Sequence, residues 1–334
     1  MKAVMAPRIG ELTLGELDIP VPGEYEALVR MDACAICNST DHKLMLNEFC
    51  PGNFPIVLGH EVVGTVVSVG PKVVNYRPGD RVFRQRLYDK HVPGGRSCWG
   101  GFAEYGLVMD EWAKRGVPYG PDSLPHDQQK LLIDVEPALA AGMITLMETL
   151  DCIAACGAAP GKSVAIVGSG PVAQAFAMFA RLLGASPVFA FGRSARHSAR
   201  FMRVARSDGY VTGVYPPDVE RIVRAGGFDL VMEAVGSADA LQTCIRLAGT
   251  NGAVRVYGIA PDSLPYPKEL MERPNVKPVG ACEGRVQRRL VEFIHRGEVR
   301  LEDWVSHKLP MSEYQRGFDM VANKEAYKVV LLPM

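Results

Sequence analysis

The residues Ser163–Ser194, SVAIVGSGPVAQAFAMFARLLGASPVFAFGRS, run from an apolar segment through a glycine turn into a helical pattern and back to an apolar segment. Ser163–Val167 has the length and composition of a buried strand, and Gly168, Ser169 and Gly170 interrupt it. Val172, Phe176, Phe179 and Leu183 then recur at i, i+4, i+7 and i+11, the spacing of one helix face. Val188–Phe191 supplies a second strand. Glycines between a strand and a helix let backbone approach a pyrophosphate, and the first turn of the helix offers amides that no helical carbonyl accepts. A GxGxxA match is by itself more often a plain turn; its place between strand and helix predicts a dinucleotide site at Gly168, Ser169, Gly170, Pro171 and Val172.

Outward from this unit the alternation continues. FDLVMEAVG (228–236) and GAVRVYGIA (252–260) read as further strands separated by helical stretches, so 138–282 is expected to form a doubly wound parallel sheet. Before it, short β-rich runs such as EALVRMDA (26–33), EVVGTVVSVG (61–70) and AEYGLVM (103–109) lie between Pro and Gly turns, the texture of a barrel or sandwich. Glu136 precedes Pro137, a residue suited to the first turn of a helix. The apolar run Ala138–Ala159 that follows carries Glu148 and Asp151 and reads as a buried core helix, not a membrane span. Near the end, Val286, Leu290, Phe293 and Ile294 form a helical stripe closed by Gly297. Ser312 with Gln315 has the spacing of a capping box, and YKVVLL (327–332) is a last strand. The expectation is an α/β chain of two domains, 1–137 with 283–334 and 138–282.

Length and charge restrict the partners. A chain of 334 residues exceeds what one core usually supports. Lys and Arg number 37, as do Asp and Glu, so no net field draws the chain to nucleic acid or an anionic membrane. A small-molecule partner is the better expectation. The N-terminal MKAVMAPRIGELTL is broken by charge and proline before an apolar signal core can form, which together with the scattered cysteines predicts a cytoplasmic protein with reduced thiols.

One polar pair is out of place. His60 and Glu61 stand at the head of HEVVGTVVSV, whose other residues are mostly β-branched. Cys37, His60 and Glu136 are of the thiolate, imidazole and carboxylate types that bind zinc. Taken as residues alone, they read equally as a buried thiol, a satisfied core histidine and a carboxylate at a helix start.

The run Gly59, His60, Glu61, Gly64, Gly70, Val73, with CAICNSTDH (34–42), RPGDRV (77–82), GGFAEY (100–105), EPALAAG (136–142), the GxGxxA turn and the closing AYKVVLL (326–332), resembles the zinc-dependent medium-chain dehydrogenase/reductase family over nearly the whole chain. The resemblance implies a GroES-like β-rich catalytic domain and a Rossmann domain. It also implies a catalytic zinc held by Cys37, His60 and Glu136, with Glu61 beside the metal. An open fourth position would take an alcohol or carbonyl oxygen. It further implies a proton path through Ser39 and His42, although this chain has Thr40 where relatives carry Asp and Asp41 one place later. A shifted register would move the hydroxyl to Thr40. Relatives often carry a second, four-cysteine zinc lobe; here the segment from Arg81 to Gly101 has only Cys98, so one zinc per chain is expected.

Cofactor choice is read at the end of the second strand. Phe191 is followed by Gly192, Arg193, Ser194 and Arg196, with no acidic residue to hold the ribose hydroxyls of NAD. Arg193, aided by Ser194, suits a 2'-phosphate, so NADP(H) is preferred over NAD(H). The plain alternative is a row of solvated arginines. By analogy the loop Leu44–Phe54, with Phe49 and Cys50, and the region of Trp99 line the substrate pocket; Glu283 and Arg285 read first as solvated surface, with contact to a polar or amino-bearing substrate as the alternative. The expectation is an alcohol dehydrogenase or carbonyl reductase for a small secondary alcohol or ketone, sugar-like and cyclitol-like compounds included. The rivals are an NAD-dependent polyol dehydrogenase and a catalytically silent NADPH-binding relative. A homodimer or homotetramer is implied, with 276–280 as its edge strand.

Overall fold

The structure, a computed structural model, describes residues 1–333 and divides into two compact units, 1–147 with 282–334 and 148–281. In the first unit the strand Glu26–Ala35 is the hub of a mixed sheet. It pairs antiparallel with Glu61–Val69 on one side, and with Val329–Leu332 and Tyr105–Met109 on the other. Register matters here: Ala35 stands opposite both Glu61 and Val330. The residues just beyond these strand ends, Cys37, His60 and Lys328, are therefore brought to one end of the sheet.

A second, four-stranded sheet runs in the order Thr13–Glu16, Lys2–Ala6, Ile56–Val57, Arg96–Ser97. Between the two sheets lies a core that includes Val4, Ile36, Leu44, Ile56, Leu58, Val62, Cys98 and Phe102. The C-terminal segment is tied to this unit by polar contacts at its start: Cys282 Sγ donates to Pro125 O, Gln129 Nε2 to Gly284 O, and Leu132 N to Gln287 Oε1.

The second unit is a six-stranded sheet in which every pairing is parallel, in the order Gly209–Val211, Val188–Phe191, Val164–Val167, Leu230–Glu233, Ala253–Val256, Val276–Pro278. In chain order this is third, second, first, fourth, fifth, sixth, the Rossmann arrangement. The strand Val164–Val167 and the helix Pro171–Leu182 coincide with the sequence reading. The helix Pro137–Ala155 starts at Pro137 and is the one described helix apolar and long enough to cross a bilayer; 78% of that stretch is buried, as expected for a core helix.

One local expectation fails. Ser312 does not cap the last helix: a 3-10 turn, Met311–Glu313, leads into Tyr314–Ala322, Glu313 occupies the cap position without a side-chain bond, and Gln315 bonds Asp319 instead.

Candidate active site

His60 enters the site through Gly59, whose φ of +97° belongs to the left-handed region and whose Cβ, if present, would lie 2.6 Å from the Phe102 amide nitrogen. Only glycine fits there. His60 itself is 5% exposed, its ring is 5.3 Å from that of Trp99, and its carbonyl accepts from Arg84 Nη1 at 2.7 Å. Cys37 Sγ, a ring nitrogen of His60 and a carboxylate oxygen of Glu61 all lie within 4.8 Å of one another.

Each donor has a holder. The fully buried Asp41 accepts from the Cys37 amide through Oδ2 at 2.9 Å and places Oδ1 3.3 Å from His60 Nδ1. That leaves His60 Nε2 on the side of Glu61, 4.0 Å from Oε1. Glu61 Oε2 is ion-paired with Lys328 Nζ at 2.5 Å, and the same ammonium donates to Thr145 Oγ1 at 2.8 Å. Burial opposes a charged His60, but the Asp41 carboxylate and Cys37 outweigh it and lift the imidazole well above its ordinary range. The pocket thus favours positive charge at its centre.

Glu136 is not gathered here. Its carboxylate is half-exposed and pairs with Lys308 Nζ at 2.5 Å. A full charge at hydrogen-bond distance holds it at the head of the helix Pro137–Ala155. The donors brought within 4.8 Å of one another are thus Cys37, His60 and Glu61, and the expected Glu136 is not among them. Ser39 is exposed and accepts from Lys43 Nζ at 3.3 Å, Thr40 opens the helix Thr40–Met45 and is half-buried, and His42 is half-buried on that helix. Glu283 also departs from expectation: it is buried in an ion pair with Arg84 and is not free to meet a substrate, while Arg285 is exposed.

Asp41 and Lys328 carry much of this site, and only a faint signal marks either in the sequence. Lys328 stands before VVLL as His60 and Glu61 stand before VVG, a charge on the threshold of an apolar strand. Asp41 was visible only as an acid one place late.

In the second unit the glycine turn follows the strand Val164–Val167, Gly168 has φ +146°, and Gly170 starts the helix Pro171–Leu182 with no side chain capping it. Space beside the Gly170 α-carbon is open. Arg193, Ser194 and Arg196 are all exposed just beyond the strand Val188–Phe191. A residue not anticipated closes this corner: Tyr210 Oη donates to Ser194 O at 3.1 Å and faces Ser169. A Cβ on Gly192 would lie 1.8 Å from that hydroxyl. Gly192→Asp alone is therefore expected to distort the corner and weaken both nicotinamide cofactors, whereas Gly192→Asp with Tyr210→Ala should shift the NADH to NADPH ratio of kcat/KM toward NADH by about tenfold or more. Steady-state kinetics with both cofactors checks this.

Residues 23–117 match the model of the alcohol dehydrogenase GroES-like domain. The chain is 26% identical to D-arabinitol dehydrogenase 1 of Uromyces fabae, covering 100% of this chain and 97% of that protein. It is 28% identical to the NADP-dependent isopropanol dehydrogenase of Thermoanaerobacter brockii, covering 96% and 94%. Among solved structures, an alcohol dehydrogenase from Thermus sp. ATN1 superposes with a TM-score of 0.77 at 25% identity and full coverage of both chains.

Proposed function

The chain belongs to the zinc-dependent medium-chain dehydrogenase/reductase family, and from that premise we propose that it interconverts a small secondary alcohol and its ketone with NADP(H). The observation that carries this reading is the donor set of half-buried Cys37 and buried His60 and Glu61, all within 4.8 Å. Thiolate, imidazole and carboxylate suit one zinc ion per chain, and Asp41 Oδ1, 3.3 Å from the buried His60 Nδ1, stands on the side where metal sites place a carboxylate behind a ligating histidine. Bound there, zinc would supply Lewis acidity toward an alcohol or carbonyl oxygen.

The chain's own residues supply the rest. Asp41 fixes the imidazole ring and the Cys37 amide together, so the two donors keep a common geometry. Lys328 balances the buried Glu61 carboxylate. Proton exit runs from the hydroxyl of Ser39 or Thr40 to His42, and the half-buried Thr40 is nearer the buried face of the helix than the exposed Ser39. The open helix start at Gly170 takes the pyrophosphate and Arg193 with Ser194 takes the 2'-phosphate of NADP(H). The strand Val276–Pro278, at the outer edge of its sheet, is the pairing edge for a homodimer or homotetramer.

A screen of secondary alcohols and ketones with zinc-loaded protein and both cofactors tests the proposal. NADPH-dependent reduction of at least one ketone is expected; cofactor binding with no turnover on any carbonyl would support a silent relative instead. Arg193→Ala should raise the KM for NADPH about 10–100-fold, the value of a charge-assisted contact to phosphate, and leave NADH little changed. Equal effects on the two cofactors would remove the assignment.

A further inference from the structure

Arg96 stands in the short strand Arg96–Ser97, which pairs in parallel with Ile56–Val57 so that Arg96 is opposite Ile56 and Ser97 opposite Val57. Paired residues project to the same face of a sheet, and residues two apart share that face. Arg96 therefore lies on the side of Ile56 and Cys98. That side belongs to the core cluster of Ile36, Leu44 and Leu58, against which Phe49, Phe54 and Trp99 pack. Ile36 adjoins Cys37, and the ring of Trp99 lies 5.3 Å from that of His60. Arg96 thus shares a strand face with the cluster whose Trp99 packs against His60.

Its guanidinium is unusual for such a place. Nε and Nη2 are buried, and among the described residues neither has a hydrogen-bond partner. Arg96 as a residue is half-buried, but a buried donor atom without an acceptor is costly. One flank is closed by the chain: Gly52 approaches so nearly that a Cβ there would lie 2.9 Å from both Cζ and Nε of Arg96. Gly52 belongs to the turn held by Asn47, whose side chain accepts from the Gly52 amide at 3.0 Å. Any larger residue at 52 would push the guanidinium away.

We infer that Arg96 receives an anionic oxygen group, a carboxylate or a phosphate, carried by the alcohol or ketone substrate. A planar guanidinium with two adjacent donors matches such a group bidentately, which a neutral hydroxyl does not. The inference rests on the proposed dehydrogenase reading and narrows its substrate class to hydroxy acids, or phosphorylated alcohols, and their keto counterparts. Sugar-like neutral alcohols then become the poorer substrates.

The test compares matched pairs that differ only in the anionic group, 3-hydroxybutyrate against 2-butanol and glycerol 3-phosphate against glycerol, with wild type, Arg96→Met and Arg96→Lys. Wild type should prefer the anionic member of at least one pair by tenfold or more in kcat/KM, and which pair shows it separates carboxylate from phosphate. Arg96→Met should lower that preference at least tenfold, and Arg96→Lys should recover part of it, which a folding defect would not produce. A preference unchanged in Arg96→Met, or no preference in wild type, overturns the inference. Tryptophan fluorescence titration with 3-hydroxybutyrate and with inorganic phosphate supplies a readout free of turnover. If no member of any pair is oxidised and the screen of ketones also shows no turnover, the dehydrogenase reading fails; the titration still decides for Arg96, which is supported by saturable binding lost in Arg96→Met and refuted by binding that is absent or equal in both.

Discussion

Cys37→Ala is expected to yield a folded protein that retains no zinc and whose kcat/KM falls by roughly 10³-fold, the rate equivalent of losing several kcal/mol of Lewis-acid stabilisation. The fold should tolerate the change because Cys37 is only half-buried, and removing its sulfur costs about 1 kcal/mol of transfer energy. Its amide bond to Asp41 is made by backbone and survives. The informative control is Cys34→Ala. Cys34 is fully buried three residues earlier in the same chain segment, so its loss should lower stability at least as much while leaving zinc content and turnover near wild type. Metal analysis and kinetics on the two variants separate a lost ligand from a loosened core. Equal losses of activity would mean that Cys37 serves packing and not chemistry.

Lys328→Met is expected to destabilise the metal-free protein by about 3–5 kcal/mol, because it strands the Glu61 carboxylate in a site that is 1% exposed. In a thermal scan this corresponds to a fall on the order of 10 °C. The loss arises from an uncompensated charge and not from lost packing, since methionine fills nearly the same volume. Two consequences separate those causes. The double variant Lys328→Met with Glu61→Gln should recover most of the loss, because no charge remains to be paired. Added zinc should stabilise Lys328→Met more than it stabilises wild type, because a cation then faces the stranded carboxylate. A double variant as unstable as the single one would place the effect in Thr145 and the surrounding packing instead.

These outcomes depend on contacts that the sequence disclosed unevenly. The strands Val164–Val167 and Val188–Phe191 and the helix between them were legible almost to the residue, because each strand is a short apolar run followed directly by glycine, whereas the short strand Gly209–Val211 carries no such mark. His60 and Glu61 were conspicuous for the same reason, as polar residues where the strand pattern calls for apolar ones. The proposed third donor, Glu61, was not legible as a ligand. Choosing between Glu61 and Glu136 requires knowing that Ala35 aligns with Glu61 across one ladder, and that Lys308 lies within reach of Glu136 from a strand some 170 positions later. Sheet register is a long-range property, and no short window contains it.

Charge pairing hid other residues in the same way. Glu283 reads in the sequence as a surface acid, whereas in the fold it pairs with Arg84, which adopts a φ of +61° that no feature of VFRQ announces. Tyr210 looked like an ordinary aromatic in a strand. Its hydroxyl matters because parallel pairing with Val188–Phe191 carries it to the corner beside Gly192.

Zinc content per chain, measured by elemental analysis after purification and dialysis of wild type, Glu61→Ala and Glu136→Ala, tests the proposed centre most directly. One zinc in wild type and in Glu136→Ala, with its loss from Glu61→Ala, is the result expected from a donor set of Cys37, His60 and Glu61. Zinc retained in Glu61→Ala and lost from Glu136→Ala would contradict it and return the third ligand to the helix head at Pro137.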